Sequence, residues 1–142
     1  MKEKLYKVST YFYRPDQGIF VIRVVAGAIF LHHGWMKLNN LTQMEGFFTG
    51  MLHIPAFLFY ATIFVEIAGG LMLIFGVVTR AAAVALTVVM LVAIFVAIAP
   101  SKGVLAAEFE WLLAAVSFGL ALSGSGRFRL THLFEHDGKD KK

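Results

Sequence analysis

Read for apolar and polar positions alone, the chain falls into four long apolar runs with polar breaks between them: 18–38, 57–77, 81–99 and 104–123. A helix needs about 20 mostly apolar residues to cross the hydrocarbon of a bilayer, and each run is close to that length. No run alternates with a period of two, and a backbone in lipid must satisfy its hydrogen bonds internally, so spanning helices are predicted rather than a barrel. The expected fold class is an all-α membrane protein, a four-transmembrane-helix bundle. Residues 1–17 would be a cytoplasmic N-terminal segment, 18–123 the transmembrane domain and 124–142 a cytoplasmic polar tail. The tail, "GSGRFRLTHLFEHDGKDKK", ends in alternating charge, and its last residues read as disordered.

The breaks differ in character. "GVVTRAA", Gly76 to Ala82, is long enough only for a tight hairpin, so the second and third runs should be antiparallel neighbours. The break after the first run carries Leu41, Met44, Phe47, Phe48, Met51 and Leu52 near helical spacing before Pro55 blocks continuation. That pattern predicts an interfacial helix capping the first outer loop, against the alternative of an irregular apolar loop tucked onto the bundle.

Composition sharpens the membrane reading. Of 142 residues, 58% are hydrophobic and 15% charged, with mean hydropathy +0.73; soluble domains are about 45–50% apolar. The first run contains Arg23, His32 and His33 and is followed by three more, so it reads as a span and not as a cleaved signal. With four spans both termini and the Arg80 turn share one side. That side carries Lys2, Lys4, Lys7, Arg14, Arg80, Arg127, Arg129, Lys139, Lys141 and Lys142, against Lys37 and Lys102 opposite. The positive-inside rule places both termini in the cytoplasm. The net charge of +4 is accounted for by this asymmetry and by anionic lipid, and without a nucleic-acid motif no nucleic-acid partner is expected. There are no cysteines, which excludes thiol redox chemistry, disulfides and thiolate metal sites.

Ionisable residues inside spans are expensive, at about 2.5–3.5 kcal/mol each at a helix centre, and usually face the bundle interior with a partner. Glu66 sits near the midplane of the second run. Arg23 lies about 8 Å inside the cytoplasmic edge, and Glu110 enters the last run to a depth of about 9 Å. Because neighbours on a helix diverge by about 100°, only one of His32 and His33 can face inward, and only one of Glu108 and Glu110. Arg23, Gly27, Phe30, Gly34 and Leu38 share a stripe with His33 at its edge, and Glu66 shares a face with Gly69, Gly70 and Leu73. The expectation is an internal cluster of Arg23, His33, Glu66 and Glu110, with Glu66 either paired to Arg23 or protonated. Against it, Arg23 could snorkel, and Trp35, Lys37 and Trp111 suit boundary anchoring.

The stretches "RVVAGAIFLHHGWMKL", "GFFTGMLHIP", "EIAGGLMLIFGVVTRAAA" and "EWLLAAVSFGLALSGSGRF" resemble successive blocks of the DoxX family of small four-helix bacterial and archaeal membrane proteins, over about residues 18–130. The combination is specific: an Arg before a small-residue helix ending in HG-x-x-KL, a Glu before Gly-Gly, a Thr-Arg hairpin and a Glu opening the last span before G-x-G-R. Carried over, the family's polar positions are Arg23, His33, Gly34, Lys37, Glu66, Gly69, Gly70, Arg80, Glu110 and Arg127, while His32 and Glu108 are additions of this chain. The resemblance implies a multi-pass protein of the cytoplasmic membrane that is a subunit or accessory of an oxidoreductase system, linked to quinone-coupled oxidation, thiol and oxidative-stress defence or quinone tolerance. With no cysteine and no fused second subunit, a complete sulfur-oxidising activity is not expected.

Quinone binding fits these residues. It needs an apolar slot, aromatic walls, donors at the carbonyls and a nearby carboxylate or imidazole to carry protons. Phe30, Trp35 and Trp111 would form the walls, with Arg23, His32, Lys37 and Glu108 as further ligand contacts, His33 as donor, and Glu66 and Glu110 as proton carriers. No metal and no intrinsic cofactor is expected, and only one span holds histidines, which disfavours a haem bridging two helices. Electrons would come from a soluble or membrane redox partner protein. Two rivals stay open: a non-catalytic assembly or chaperone-like bundle, and a small proton-coupled transporter, the latter dimerising around its acid. The many glycines and alanines leave a homo-oligomer open as well.

Overall fold

The computed structural model describes residues 15–130, and every regular element among them is helical. The helices are α1 (Pro15–Asn39), α2 (Leu41–Gly46), α3 (Ala56–Phe75), α4 (Thr79–Val92) and α5 (Glu108–Ser123). α4 continues through a π-helical stretch, Ala93–Ile98, and a last turn, Ala99–Lys102. The stretch has a local cause. Pro100 cannot donate to the carbonyl four residues before it and its ring crowds that carbonyl, so the helix rewinds ahead of it.

Three of these helices are long and apolar enough to cross a membrane: Pro15–Asn39, Ala56–Phe75 and Thr79–Lys102. The helix of the fourth apolar run, α5, is not among them and is shorter than that run suggests. Gly103, at φ 85°, ends α4, Val104–Ala106 form a 3-10 turn, and α5 starts only at Glu108, so its sixteen residues rise about 24 Å. The segment after α1 is helical over Leu41–Gly46, winds into a π turn over Phe47–Met51, and gives way before Pro55. The N-terminal basic residues through Arg14 and the tail from 131 onward, including the expected disordered end, lie outside the described residues.

Surface and interior follow the solvent. Val21, Val25, Phe57, Phe64, Val84, Phe95, Phe118 and Leu122 are exposed, a belt of a size that a water-soluble monomer rarely carries. In lipid, apolar surface does not drive helices together, so close packing at small residues must. α1 and α3 form the largest interface, antiparallel: a Cβ on Gly27 would lie 2.6 Å from the Gly70 carbonyl oxygen, and one on Gly34 would lie 2.6 Å from Ile67 Cγ1 and 3.2 Å from Glu66 Cβ. α4 packs chiefly on α5 and also on α3. The α3–α4 hairpin is closed by a Schellman motif, in which Gly76 (φ 72°) and Val77 donate to the carbonyls of Leu73 and Met72.

Past α5 the chain does not leave the bundle at once. Residues 124–130 cross its base, where Leu130 donates to the Phe75 carbonyl, Arg127 donates its backbone N–H to Asp16, and Phe128 packs on Phe20 with ring centroids 5.7 Å apart. Arg23 fastens this segment from inside.

Candidate functional site

The expected Arg23–Glu66 pairing does not occur. Arg23, 1% exposed, donates from Nη1 to the Ser125 carbonyl (2.8 Å) and from Nη2 to the Phe128 carbonyl (2.5 Å), and its guanidinium lies 5.6 Å from the Phe20 ring centroid. The reason is register. Gly27 against Gly70 sets Arg23 level with the end of α3, where its guanidinium lies against Gly76, so the nearest acceptors are backbone carbonyls of the returning segment.

Glu66 is paired with Lys37 instead. Lys37 Nζ donates to both Glu66 carboxylate oxygens at 2.5 Å, with Glu66 fully buried and the lysine side chain 19% exposed. Lys37 therefore is not a free boundary anchor. Its four-residue spacing from His33 puts the two on one face of α1, and the absence of a side chain at Gly34 lets that face approach α3 closely enough for the ammonium to reach Glu66. The signal was in the sequence as the i, i+4 step from His33 to Lys37.

A cavity of about 210 Å³ opens beside this pair. His33, Lys37, Glu66 and Glu110 all line it, so one member of each ionisable doublet faces inward; His32 and Glu108 are exposed and outside it. The His33 ring lies against Phe109, centroids 5.7 Å apart and planes 31° apart. The remaining wall is mostly apolar: Phe48 and Ile54 from the connecting segment, Val89 and Met90 from α4, and Ala93, Ala97 and Ile98 from the π-helical stretch. The aromatic walls expected from the sequence lie elsewhere. Phe30 is fully buried in the core, Trp35 is exposed, and Trp111 donates its indole N–H to the Val104 carbonyl and stands edge-on to Phe95. Phe48, one of the apolar residues of the segment expected to cap the outer loop, supplies an aromatic wall that the sequence assigned to other residues.

A second cavity adjoins the first. Phe48, Ile54, Thr62, Val89 and Val92 also line a second, apolar cavity of about 430 Å³ between α3 and α4, whose other walls include Leu58, Val88 and Val96, all exposed. The shared wall thus stands between the exposed apolar belt and the buried ion pair. Among the described residues no group of three or more histidine, aspartate or glutamate side chains is placed to hold a metal ion.

A family model, DoxX, matches residues 18–99. The chain belongs to the DoxX family. The match spans the first three long helices and with them Arg23, His33, Lys37 and Glu66. The chain is also similar to a Bacillus subtilis (strain 168) protein named "Putative oxidoreductase CatD", 34% identical over 122 residues, covering 86% of this chain and 90% of that protein. A second relative is the Escherichia coli (strain K12) protein named "Inner membrane protein YqjF", 31% identical over 68 residues, covering 48% of this chain and 52% of that one. No solved structure matches. This DoxX-family chain is a membrane protein, and its buried Lys37–Glu66 pair belongs to the part the family model covers.

Proposed function

We infer that the protein is a membrane subunit or accessory of a quinone-linked oxidoreductase system, binding the quinone head at the Lys37–Glu66 cavity and working with a redox partner polypeptide. The single observation that carries this reading is a buried ion pair opening on a small cavity that shares a wall with an apolar one beside the lipid-facing belt. An amphiphile with a compact carbonyl-bearing head and a long apolar tail suits that combination. The name of the Bacillus subtilis relative points the same way. The membrane setting is read as four crossings, the turn at Val104–Ala106 extending the short α5, with both termini in the cytoplasm of a bacterium or archaeon.

A bound quinone would supply two-electron, two-proton carbonyl chemistry. The residues of this chain do the rest. Lys37 has three N–H donors and gives two to Glu66, which leaves one for a ligand oxygen. His33 offers a second donor on the same face of the cavity, and its contact with Phe109 restricts the ring. Glu66 and Glu110 are the groups that can hold and release protons at the cavity wall. The apolar lining excludes water, which strengthens each of these interactions.

The reading is tested by mass spectrometry and ultraviolet spectroscopy of organic extracts from the detergent-purified protein and from a Glu66→Gln variant. About one quinone per chain, lost in a variant that still folds, supports it. Only bulk lipid in both extracts overturns it and favours the assembly or transport readings.

A further inference from the structure

Glu66 stands near the middle of α3, and the side chains between it and the two ends of the bundle differ in kind. Toward the Arg23 end, α3 rises about 14 Å from Glu66 to Phe75. Over that height none of the four long helices carries an ionisable side chain: residues 24–31, 67–75, 81–92 and 112–122 contain none. Phe30, Leu73, Ala83 and Leu86 are fully buried in this layer, and the close approach of Gly27 and Gly70 brings the α1 and α3 backbones together across it.

Two hydroxyls lie in the same layer, and neither extends a relay. Thr87 donates to the Ala83 carbonyl at 2.7 Å, and the Ser117 hydroxyl is fully buried with no hydrogen-bond partner. Proton relays inside membranes run along chains of Asp, Glu and His side chains. Arg23, beyond the layer, is held by carbonyls, and a guanidinium does not give up its proton in a protein. A proton on Glu66 therefore has no side-chain route to that end.

The Lys37 end is the reverse. Glu66 is paired with Lys37 and shares a cavity with His33 of α1 and Glu110 of α5, while every residue that α4, its π-helical stretch and the connecting segment add to the wall is uncharged. His33, Lys37 and Glu110 are half-buried. Glu110 lies about 3 Å along α5 from Glu108, and Glu108 and His32 are exposed. Among the described residues, acids and imidazoles lead from the cavity wall to the surface at this end and at no other. We propose that Glu66 exchanges its proton with the aqueous phase at the Lys37 end alone, so that protons taken up or released by a ligand in the cavity belong to that face of the membrane. For its ligand this rests on the quinone reading; the one-sided access rests on the placement of Glu66, His33 and Glu110.

The test uses sealed membrane vesicles of the two opposite orientations, prepared from cells that express the full chain, with the internal pH held by trapped buffer. Dicyclohexylcarbodiimide, which crosses lipid and modifies protonated carboxyl groups, is applied as a short pulse at varied external pH, and its adduct at Glu66 is quantified by mass spectrometry of peptides. Lys102, exposed at the Lys37 end, identifies the orientation, since an impermeant amine reagent modifies it only in vesicles that turn this end outward. A drop of one pH unit raises the protonated fraction of a carboxyl by up to about tenfold. Label at Glu66 should therefore rise severalfold when the external pH falls by about two units in the vesicles whose Lys102 is modified, and stay constant in those of opposite orientation. The readout is Glu66 itself and not a bound quinone, so one-sided labelling stands even where organic extracts hold only bulk lipid. Label that follows the external pH in both orientations, or only in vesicles whose Lys102 is protected, overturns the proposal. So does a Glu66 that takes no label at any pH in permeabilised vesicles, because it then exchanges no proton with either face.

Discussion

α1 carries a buried cation, Arg23, and a half-buried one, Lys37, on one face and about 21 Å apart along its axis, and the two are satisfied in opposite ways. Arg23 is held by two backbone carbonyls of the segment that follows α5 and by the Phe20 ring. Lys37 is held by one side chain, the fully buried Glu66, and lies on the wall of a cavity. Carbonyls neutralise no charge and cannot accept a proton to become neutral donors, so the Arg23 end can only hold the chain in place. Glu66 can change protonation, and its partner has a donor left over. The comparison separates a latch from a group able to take part in chemistry, although both would look like the same intramembrane cation in a hydropathy plot.

The comparison is broken most severely at the latch. Arg23→Met should be the most damaging single change, about 3–5 kcal/mol, since it removes two charge-assisted hydrogen bonds and leaves the Ser125 and Phe128 carbonyls without their partner. Thermal melting in detergent should show this as a large fall in Tm, with Arg23→Lys recovering part of it.

Next comes the packing that sets both ends at once. Gly27→Ala places a methyl group 2.6 Å from a backbone oxygen that cannot move aside, which should destabilise by about 1–3 kcal/mol. It should also pull Lys37 from Glu66. Gly69→Ala, whose new methyl meets only the Leu86 side chain at 3.1–3.2 Å, should cost clearly less in the same melting experiment.

Within the ion pair the two partners should not be equivalent. Lys37→Met strands a fully buried carboxylate, whereas Glu66→Gln leaves a lysine near the helix end that is already 19% exposed and can swing outward. Lys37→Met should therefore lower Tm more than Glu66→Gln, and the double variant should recover most of that loss. Equal melting temperatures for the two single variants would mean that Glu66 is neutral in the folded protein. The smallest effects are expected at the doublets. His33→Gln should weaken binding of a short-chain quinone about five- to tenfold, the worth of one hydrogen bond, and His32→Gln should leave the titration curve unchanged.

The sequence made the helices legible because the length and apolarity of a span are local properties, and it made Glu66 stand out because no other acid occupies the middle of an apolar run. Helical angle allowed only one member of each doublet to face inward, and the stripe through Arg23, Phe30 and Gly34 favoured His33, but the angle did not choose between Glu108 and Glu110. What was not legible depended on register between helices. Arg23 and Glu66 looked close enough in depth to pair, but Gly27 against Gly70 fixes a register that gives Glu66 to Lys37 and Arg23 to carbonyls. Backbone acceptors have no sequence signature, so the latch could not be read. Residues 124–130 looked like the start of a polar tail because Gly, Ser and Arg dominate them, yet their carbonyls are what Arg23 needs. The shortened α5 and the π-helical stretch arise from Gly103 and Pro100, whose effects on neighbouring turns a count of apolar residues does not register.

The most direct test is the dissociation constant of a short-chain quinone, titrated into the purified protein, for wild type, Glu66→Gln and Arg23→Lys, each accompanied by its melting temperature. The account predicts that Glu66→Gln weakens binding by about tenfold or more while melting closer to wild type than Arg23→Lys, and that Arg23→Lys melts lower yet binds as wild type does. Loss of binding in Arg23→Lys with retention in Glu66→Gln would contradict the account, because it would place the ligand at the latch and leave the Lys37–Glu66 pair as the structural element.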